Sequence, residues 1–182
     1  MWPSFVTEWG STAAERAESF PCDELLPGAS MTLFRAVDAA APAEDVFRWL
    51  CQLRAAPYSY DRLDNGGRRS PQALTPGLER LEVGQRMMSI FRLAAFEPGT
   101  SITARSSGTM FGEVAITYRV RDTAAGRSRL VAKVLAEPPI RGPFGWPMRA
   151  LLAPGDLIMM RRQLLNLAAL AESRPPAEMI GG

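Results

Sequence analysis

The sequence predicts an α+β fold in which a curved antiparallel sheet packs on a long C-terminal amphipathic helix. Three observations carry this. From Gly84 onward, apolar and polar residues alternate with period two through several short runs broken by turn residues. Near the C-terminus the period changes, and Leu157, Met160, Leu164, Leu167 and Ala171 recur at helical spacing. Ahead of the alternating region stand one isolated strand and one short helix, an order that lets the sheet curl around its last helix.

Residues 1–30 read as an irregular strap. Thr12 followed by Glu15 fits a capping box opening a short helix, and Pro21, Pro27 and Gly28 then interrupt the chain. Met31–Val37 reads as the first strand. Pro42 suits the start of a helix, with Glu44 and Asp45 favoured by the dipole in its first turn. Val46, Phe47, Trp49, Leu50 and Leu53 then give an apolar face over Ala43–Leu53, which Pro57 ends. Tyr58–Gly67 has room for one helical turn before Asn65-Gly66-Gly67, and Arg68–Glu82 reads as loop.

Five strands follow: Gln85–Ile90, Phe91–Phe96, Ser101–Ser107, Glu113–Arg121 and Arg129–Ala136. Val114, Ile116, Tyr118 and Val120 share one face of their strand, while Glu113, Thr117, Arg119 and Arg121 share the other, so one wet and one apolar face are expected. Pro138, Pro139, Pro143 and Pro147 suggest an extended crossing. Asp156 then reads as the N-cap of the closing helix, Asp156–Glu172, after Pro154-Gly155. About 17 residues at ~1.5 Å rise make a rod of roughly 25 Å. Ile158, Leu165 and Ala168 widen its apolar stripe, and Arg161, Arg162, Gln163, Asn166 and Glu172 form its wet side. Arg174-Pro175-Pro176 stops the helix, and residues 174–182 read as a mobile tail. The expected organisation is one domain, with strap 1–30 and core 31–173.

Composition narrows the function. The chain contains no histidine, which removes Ser-His-Asp, Cys-His and HExxH chemistry. It has no GxxxxGK[ST] or GxGxxG cradle, so no nucleotide cofactor is expected, and its acidic residues show no metal-ligand pattern. A net charge of +2 with dispersed basic residues argues against nucleic acid. The two cysteines, Cys22 and Cys51, read as free thiols in a reducing cytoplasm. Neither a signal peptide nor a transmembrane run is expected.

Tyr58, Tyr60, Asp61 and Asp64 form the densest polar-aromatic cluster. A phenol beside a carboxylate can move a proton to or from a ligand carbonyl; the same aspartates also suit local turns. Tyr118 falls on the inward face of its strand, where it suits a ligand oxygen or simply a partner within the core. Arg86 shares phase with Met88 and Ile90, and either enters the pocket or snorkels out at the strand edge. Met88, Met110 and Met160 suit an adaptable apolar lining, or plain core filling.

Several stretches in order resemble a known family: Trp9-Gly10-Ser11-Thr12 with Glu15, Ala41-Pro42-Ala43-Glu44-Asp45-Val46-Phe47-Arg48-Trp49-Leu50, Tyr58-Ser59-Tyr60-Asp61 with Leu63-Asp64-Asn65, and Met159-Met160-Arg161 through Ala171-Glu172. They are similar to the START/Bet v 1-like helix-grip superfamily (SRPBCC), in its polyketide cyclase/dehydrase-like branch. Arg54-Ala55-Ala56-Pro57 departs from that branch, where a glycine and an aromatic are expected. The resemblance implies a helix-grip fold with a deep apolar cavity between sheet and helix. It also implies a polyketide-, lipid- or terpenoid-like ligand, cyclised, dehydrated or isomerised without a cofactor, or else merely carried. The expected catalytic residues are Tyr60, Asp64 and Tyr118. Tyr58, Asp61, Arg86, Met88, Met110, Ile116, Trp146, Leu157, Met160 and Leu164 are expected to bind the ligand, in a cytoplasmic monomer or homodimer.

Overall fold

The computed structural model describes residues 2–109, 112–139 and 146–173, with side chains omitted at 107–109 and 146–149. The chain runs α1 (Ser4–Thr7), α2 (Ala13–Ala17), α3 (Cys22–Leu25), β1 (Met31–Ala39), α4 (Ala43–Cys51) with a 3-10 turn (Gln52–Arg54), and α5 (Asp61–Asp64). It continues through β2 (Arg86–Met87), β3 (Phe91–Glu97), β4 (Ser101–Thr109), β5 (Gly112–Ala124) and β6 (Arg127–Glu137) to α6 (Trp146–Glu172). The sheet order is β1-β6-β5-β4-β3-β2, with every described pairing antiparallel. A meander thus runs from β2 to β6, and β1 closes its far edge. Register shifts at Leu93/Ala95 and Asp122/Ala124 supply bulges, which add bend and twist. This is the expected α+β helix-grip architecture.

The inner face of the sheet meets α4 and α6. Leu33, Leu130, Ala132, Val134 and Ile116 pack there with Val46 and Leu50 of α4 and with Leu164, Leu167, Ala168 and Ala171 of α6. The outer face is not left wet, contrary to the alternation. Phe20, Cys22 and Leu26 of the strap lie on Phe34, Ala36, Ala115, Val131 and Leu135. Polar residues trapped beneath the strap are paired. Thr103 and Thr117 share a 2.9 Å hydrogen bond, and Lys133 reaches Asp23 at 2.6 Å, with its ammonium 5.4 Å from both the Phe20 and Phe34 rings. The Thr12–Glu15 capping box forms as expected, and the buried Glu15 also accepts from Arg129 Nε at 2.8 Å. These donors hold the Glu15 carboxyl below its usual range, against the raising effect of its burial.

Three expectations need correction. Strand β2 is only Arg86–Met87, because Met88 (φ 43°) and Ser89 (φ 64°) take left-handed backbone and end the pleat. The phase is therefore reversed: Met87 is buried, and Arg86 is exposed on the edge strand. Next, α6 starts at Trp146 and spans 27 residues, so Asp156 lies inside it rather than at its cap. Pro154 removes one backbone donor, but Ala153 is buried and its carbonyl accepts from Arg35 at 3.5 Å, so packing carries the helix past the proline. Pro147 sits in the first turn, where proline is tolerated. Finally, Gln163 is buried, while Ile158 and Leu165 are exposed. Among the described residues no helix is long and apolar enough to cross a membrane, and no group of three or more acidic or cysteine side chains could hold a metal. Both cysteines are buried free thiols, and burial pushes Cys51 up to about 12.

Gly10 fastens the strap to the sheet. Its φ is +75°, and a Cβ there would run into the Ala36 carbonyl, whose strand is already bonded to the strap through Ala36 N and Trp9 O at 3.1 Å. Gly10→Ala is expected to cost roughly 3 kcal/mol or more, from the left-handed strain plus the collision. Gly28→Ala, with φ +70° and nothing within 4 Å, should cost only about 1 kcal/mol. Urea unfolding of the two variants makes the comparison; equal losses would show that the strap is not clamped at Gly10.

Candidate ligand site beneath and beside the closing helix

On β1, Leu33, Arg35 and Val37 point inward, so an arginine stands in an apolar phase. Register carries the row across the sheet: Arg35 pairs with Ala132, and Ala132 with Tyr118. The small Ala132 side chain separates a cation from a phenol on the same face. Above them, Asp156, Met160, Gln163 and Leu167 recur at spacings of four, three and four and share one face of α6.

Each inward polar group meets a partner from that helix. Arg35 is fully buried, and its Nη2 lies 2.7 Å from Asp156 Oδ2, while Nη1 donates to Phe34 O at 2.7 Å. Arg35 Nε and Asp156 Oδ2 are both buried without a hydrogen-bond partner, so charge rather than an aligned hydrogen bond holds the pair. Burial raises the Asp156 carboxyl to about 6, and the Arg35 charge offsets that only in part. Tyr118 Oη donates to Gln163 Oε1 at 2.6 Å, and Gln163 Nε2 donates to Pro57 O at 2.6 Å. The sulfurs of Met88 and Met160 lie 3.4 and 3.8 Å from the phenol oxygen. Burial and then the Asp156 charge push the Tyr118 phenol far above its usual range, so it stays a neutral donor.

Beside the helix opens a cleft of about 390 Å³. One wall is Tyr58, Asp61, Ser70 and Gln72; the other is Arg162, Asn166 and Leu170 of α6. Tyr58 adopts φ 56°, which costs a non-glycine residue about 1–3 kcal/mol. Its carbonyl accepts from Asn166 Nδ2 at 2.8 Å, and its ring meets Trp49 edge-on at 5.9 Å. Only 1% of Tyr58 is exposed, yet its hydroxyl has no hydrogen-bond partner. Burial, then the charge of Asp61, raise that phenol to about 12. Asp61 itself is held by Ser70, through N at 2.9 Å and Oγ at 2.6 Å. This volume is within the range of small-molecule sites.

The expected site residues therefore separate. Tyr58 and Asp61 line the cleft. Asp64 takes the Ser59 hydroxyl, and Tyr60 is 40% exposed at the surface, away from the cleft lining. Tyr118, Met88 and Met160 come together beneath the helix. Tyr118 and Leu164 have no accessible surface and Ile116 almost none, so these three border no space that admits even water. That corrects the expectation of an open apolar cavity at those residues. Leu157 is half-buried on α6, and Arg86 faces solvent. Met110 and the Trp146 side chain lie outside the described residues. Sequence reasoning missed Arg35, Asp156, Gln163, Asn166 and Arg162. Arg35 alone had a usable signal, a charge in phase with Leu33 and Val37.

No family model matches the sequence, and no curated protein matches it either. Solved structures do match in shape. The Zhui aromatase/cyclase from Streptomyces sp. R1128 superposes with a TM-score of 0.52 at 19% identity, covering 78% of this chain and 93% of that one. A hypothetical protein, jhp0584 from Helicobacter pylori, gives 0.52 at 12% identity, covering 85% and 96%. Similarity at these identities is similarity of fold. The class defined here is thus a helix-grip protein with a polar row under its closing helix and a cleft alongside.

Arg35 and Asp156 answer each other's burial, so removing one alone leaves the other charge stranded. Arg35→Met is expected to cost about 3–5 kcal/mol at pH 8. The sign with pH follows from the raised carboxyl. Its folded value of about 6 exceeds the ordinary 3.8, so its contribution is whole below about pH 4 and is lost as pH rises through about 6. The Arg35→Met penalty should therefore shrink strongly at about pH 4, where the stranded carboxyl is neutral. Urea unfolding at both pH values tests this; a penalty independent of pH would mean the pair is not coupled.

Proposed function

We propose that this chain binds an apolar, oxygen-bearing small molecule of polyketide-, lipid- or terpenoid-like character, and cyclises, dehydrates or isomerises it without a cofactor. The observation that carries the reading is the cleft beside α6, with Tyr58 in its wall: a phenol whose hydroxyl is buried behind the lining and has no hydrogen-bond partner. A buried hydroxyl without a partner costs about 1–3 kcal/mol, which a ligand oxygen would return where the cleft wall shifts enough to admit it. With the phenol raised to about 12, Tyr58 is a proton donor across the physiological range and suits a ligand carbonyl. Arg162, on the α6 wall, brings a cation to the lining of the same cleft. Polarising one carbonyl while the walls hold the chain folded is catalysis mainly by positioning. The shape shared with an aromatase/cyclase is consistent with that chemistry and supports it by analogy of fold. The same reading places the protein in bacterial secondary metabolism in the cytoplasm, as a monomer or homodimer.

A second reading, a non-catalytic carrier or sensor, is favoured by a different observation. Tyr118 and one oxygen of Asp64 are committed to internal hydrogen bonds, and Tyr60 faces solvent, which leaves Tyr58 as the buried phenol without a hydrogen-bond partner.

Tyr58→Phe separates these outcomes. Its stability should be unchanged or slightly raised, since the unpartnered hydroxyl is gone. Affinity for oxygenated aromatic polyketide-like probes should fall about tenfold, or about 1.4 kcal/mol. Native mass spectrometry over time reads both binding and conversion. Mass loss of one water, or an isomeric product, supports the enzyme; persistent unchanged complex supports the carrier. Equal affinity of wild type and Y58F would remove the cleft as the site.

A further inference from the structure

We infer that the ligand of the cleft beside α6 carries a carboxylate, that Arg162 is the residue that reads it, and that arginines on the opposite wall draw it in. The inference deepens the ligand-binding reading above and rests on it in one respect, that a small molecule occupies this cleft.

The hydrogen bonds already made in the lining carry the argument. Charges of both signs border the cleft, Asp61 on one wall and Arg162 on the other. Asp61 is committed within the protein: one oxygen accepts from Ser70 N at 2.9 Å and the other from Ser70 Oγ at 2.6 Å. The amides beside it are engaged as well. Asn166 donates to the Tyr58 carbonyl, and Gln72 donates to the Ser70 carbonyl. Arg162 differs from all of these. It is exposed and has no hydrogen bond or ion pair with any described residue. Its planar fork suits a carboxylate, which it takes through two parallel donors. An unspent cation opposite a spent carboxylate favours an anion in the cleft over a cation.

The wall opposite Arg162 adds to the same field. Asp61 and Ser70 close a turn on each other, and between them stand Arg62, Arg68 and Arg69. All three are exposed, and none has an ion pair with a described residue. Arg62 directly follows Asp61 and Arg69 directly precedes Ser70, so both stand one position from the lining. Exposed charges act over roughly 8–10 Å at ordinary salt, which covers that separation. The acids of this neighbourhood do not cancel them by pairing. Asp64 takes the Ser59 hydroxyl on one oxygen and has the other buried, and Glu172 accepts from Ala40 N at 2.8 Å. A concave site edged by one sign of charge raises the local concentration of the opposite ion. Ala169 and Leu170 supply apolar surface for the carbon frame, and about 390 Å³ suits a compact acid rather than a long chain.

The test uses 1-naphthoate and 1-naphthamide, which match in size and shape and differ in charge. Wild type, R162Q and R62Q/R68Q/R69Q are titrated by isothermal calorimetry at about 0.05 and 0.5 M salt. All four positions are exposed, so the variants should fold as wild type does. Wild type should bind naphthoate about tenfold more tightly than naphthamide at low salt. R162Q should bind the two probes alike. The triple variant should keep a preference for the acid and lose most of its salt dependence. Equal affinity of wild type for both probes, binding of neither, or a preference that survives R162Q overturns the inference. A triple variant as salt-sensitive as wild type overturns the part assigned to the turn. The underlying reading fails separately. Two probes bound alike by wild type and both weakened in Y58F would keep the cleft and remove the acid. An acid preference lost in R162Q beside an unaffected Y58F would keep Arg162 and remove Tyr58.

Discussion

The polar side chains on the inner face of the sheet meet their side-chain partners on α6, because burial strips away the water that would otherwise pair them. A buried charge or hydroxyl without a partner costs more than most single contacts provide. Arg35 is answered by Asp156 and Tyr118 by Gln163, while Gln163 and Asn166 also tie down the carbonyls of Pro57 and Tyr58. These ties fix the rotation and the axial position of the helix together. A slip of one residue would strand a cation and a phenol at once. Apolar stripes alone tolerate sliding; this pairing does not.

The outer face obeys the same logic with a different tool. The strap is short and broken, with three helices of four or five residues. Such pieces have little stability of their own. On the outer face they stay in place through Phe20, Cys22 and Leu26 and through ion pairs at the edge, Arg129 with Glu15 and Arg119 with Glu18, while α1 seats Val6 in the inner core beside α6. The strap turns a two-layer arrangement into three layers. It frees the inner face to hold polar groups, since the core no longer depends on that face alone.

The regular elements were legible where local rules and tertiary packing agreed. The period of two in β5 and β6, the apolar face of α4 and the Thr12–Glu15 box all follow from neighbours in sequence. Pro154 misled because the breaker rule is local, whereas Ala153 and Arg35 hold the helix through it. The length of β2 misled because left-handed backbone at Met88 and Ser89 interrupts a period that the letters suggest continues; of the two readings of Arg86, the exposed edge position is the one found. The cover over the outer face could not be read, since Phe20, Cys22 and Leu26 lie on broken chain without a repeat. Of the site, Tyr58 and Asp61 were visible as a local cluster. The Arg35–Asp156 and Tyr118–Gln163 pairs span 121 and 45 positions, and nothing in either neighbourhood announces the other.

The lone lysine has a practical side. Lys133 lies under the strap, gripped by Asp23 and sandwiched near two aromatic rings. An amine-directed dye would then find this side chain shielded in the folded protein. A label on Lys133 counts the molecules whose strap has come off. A sequence with one lysine thus carries a built-in gauge of the outer layer.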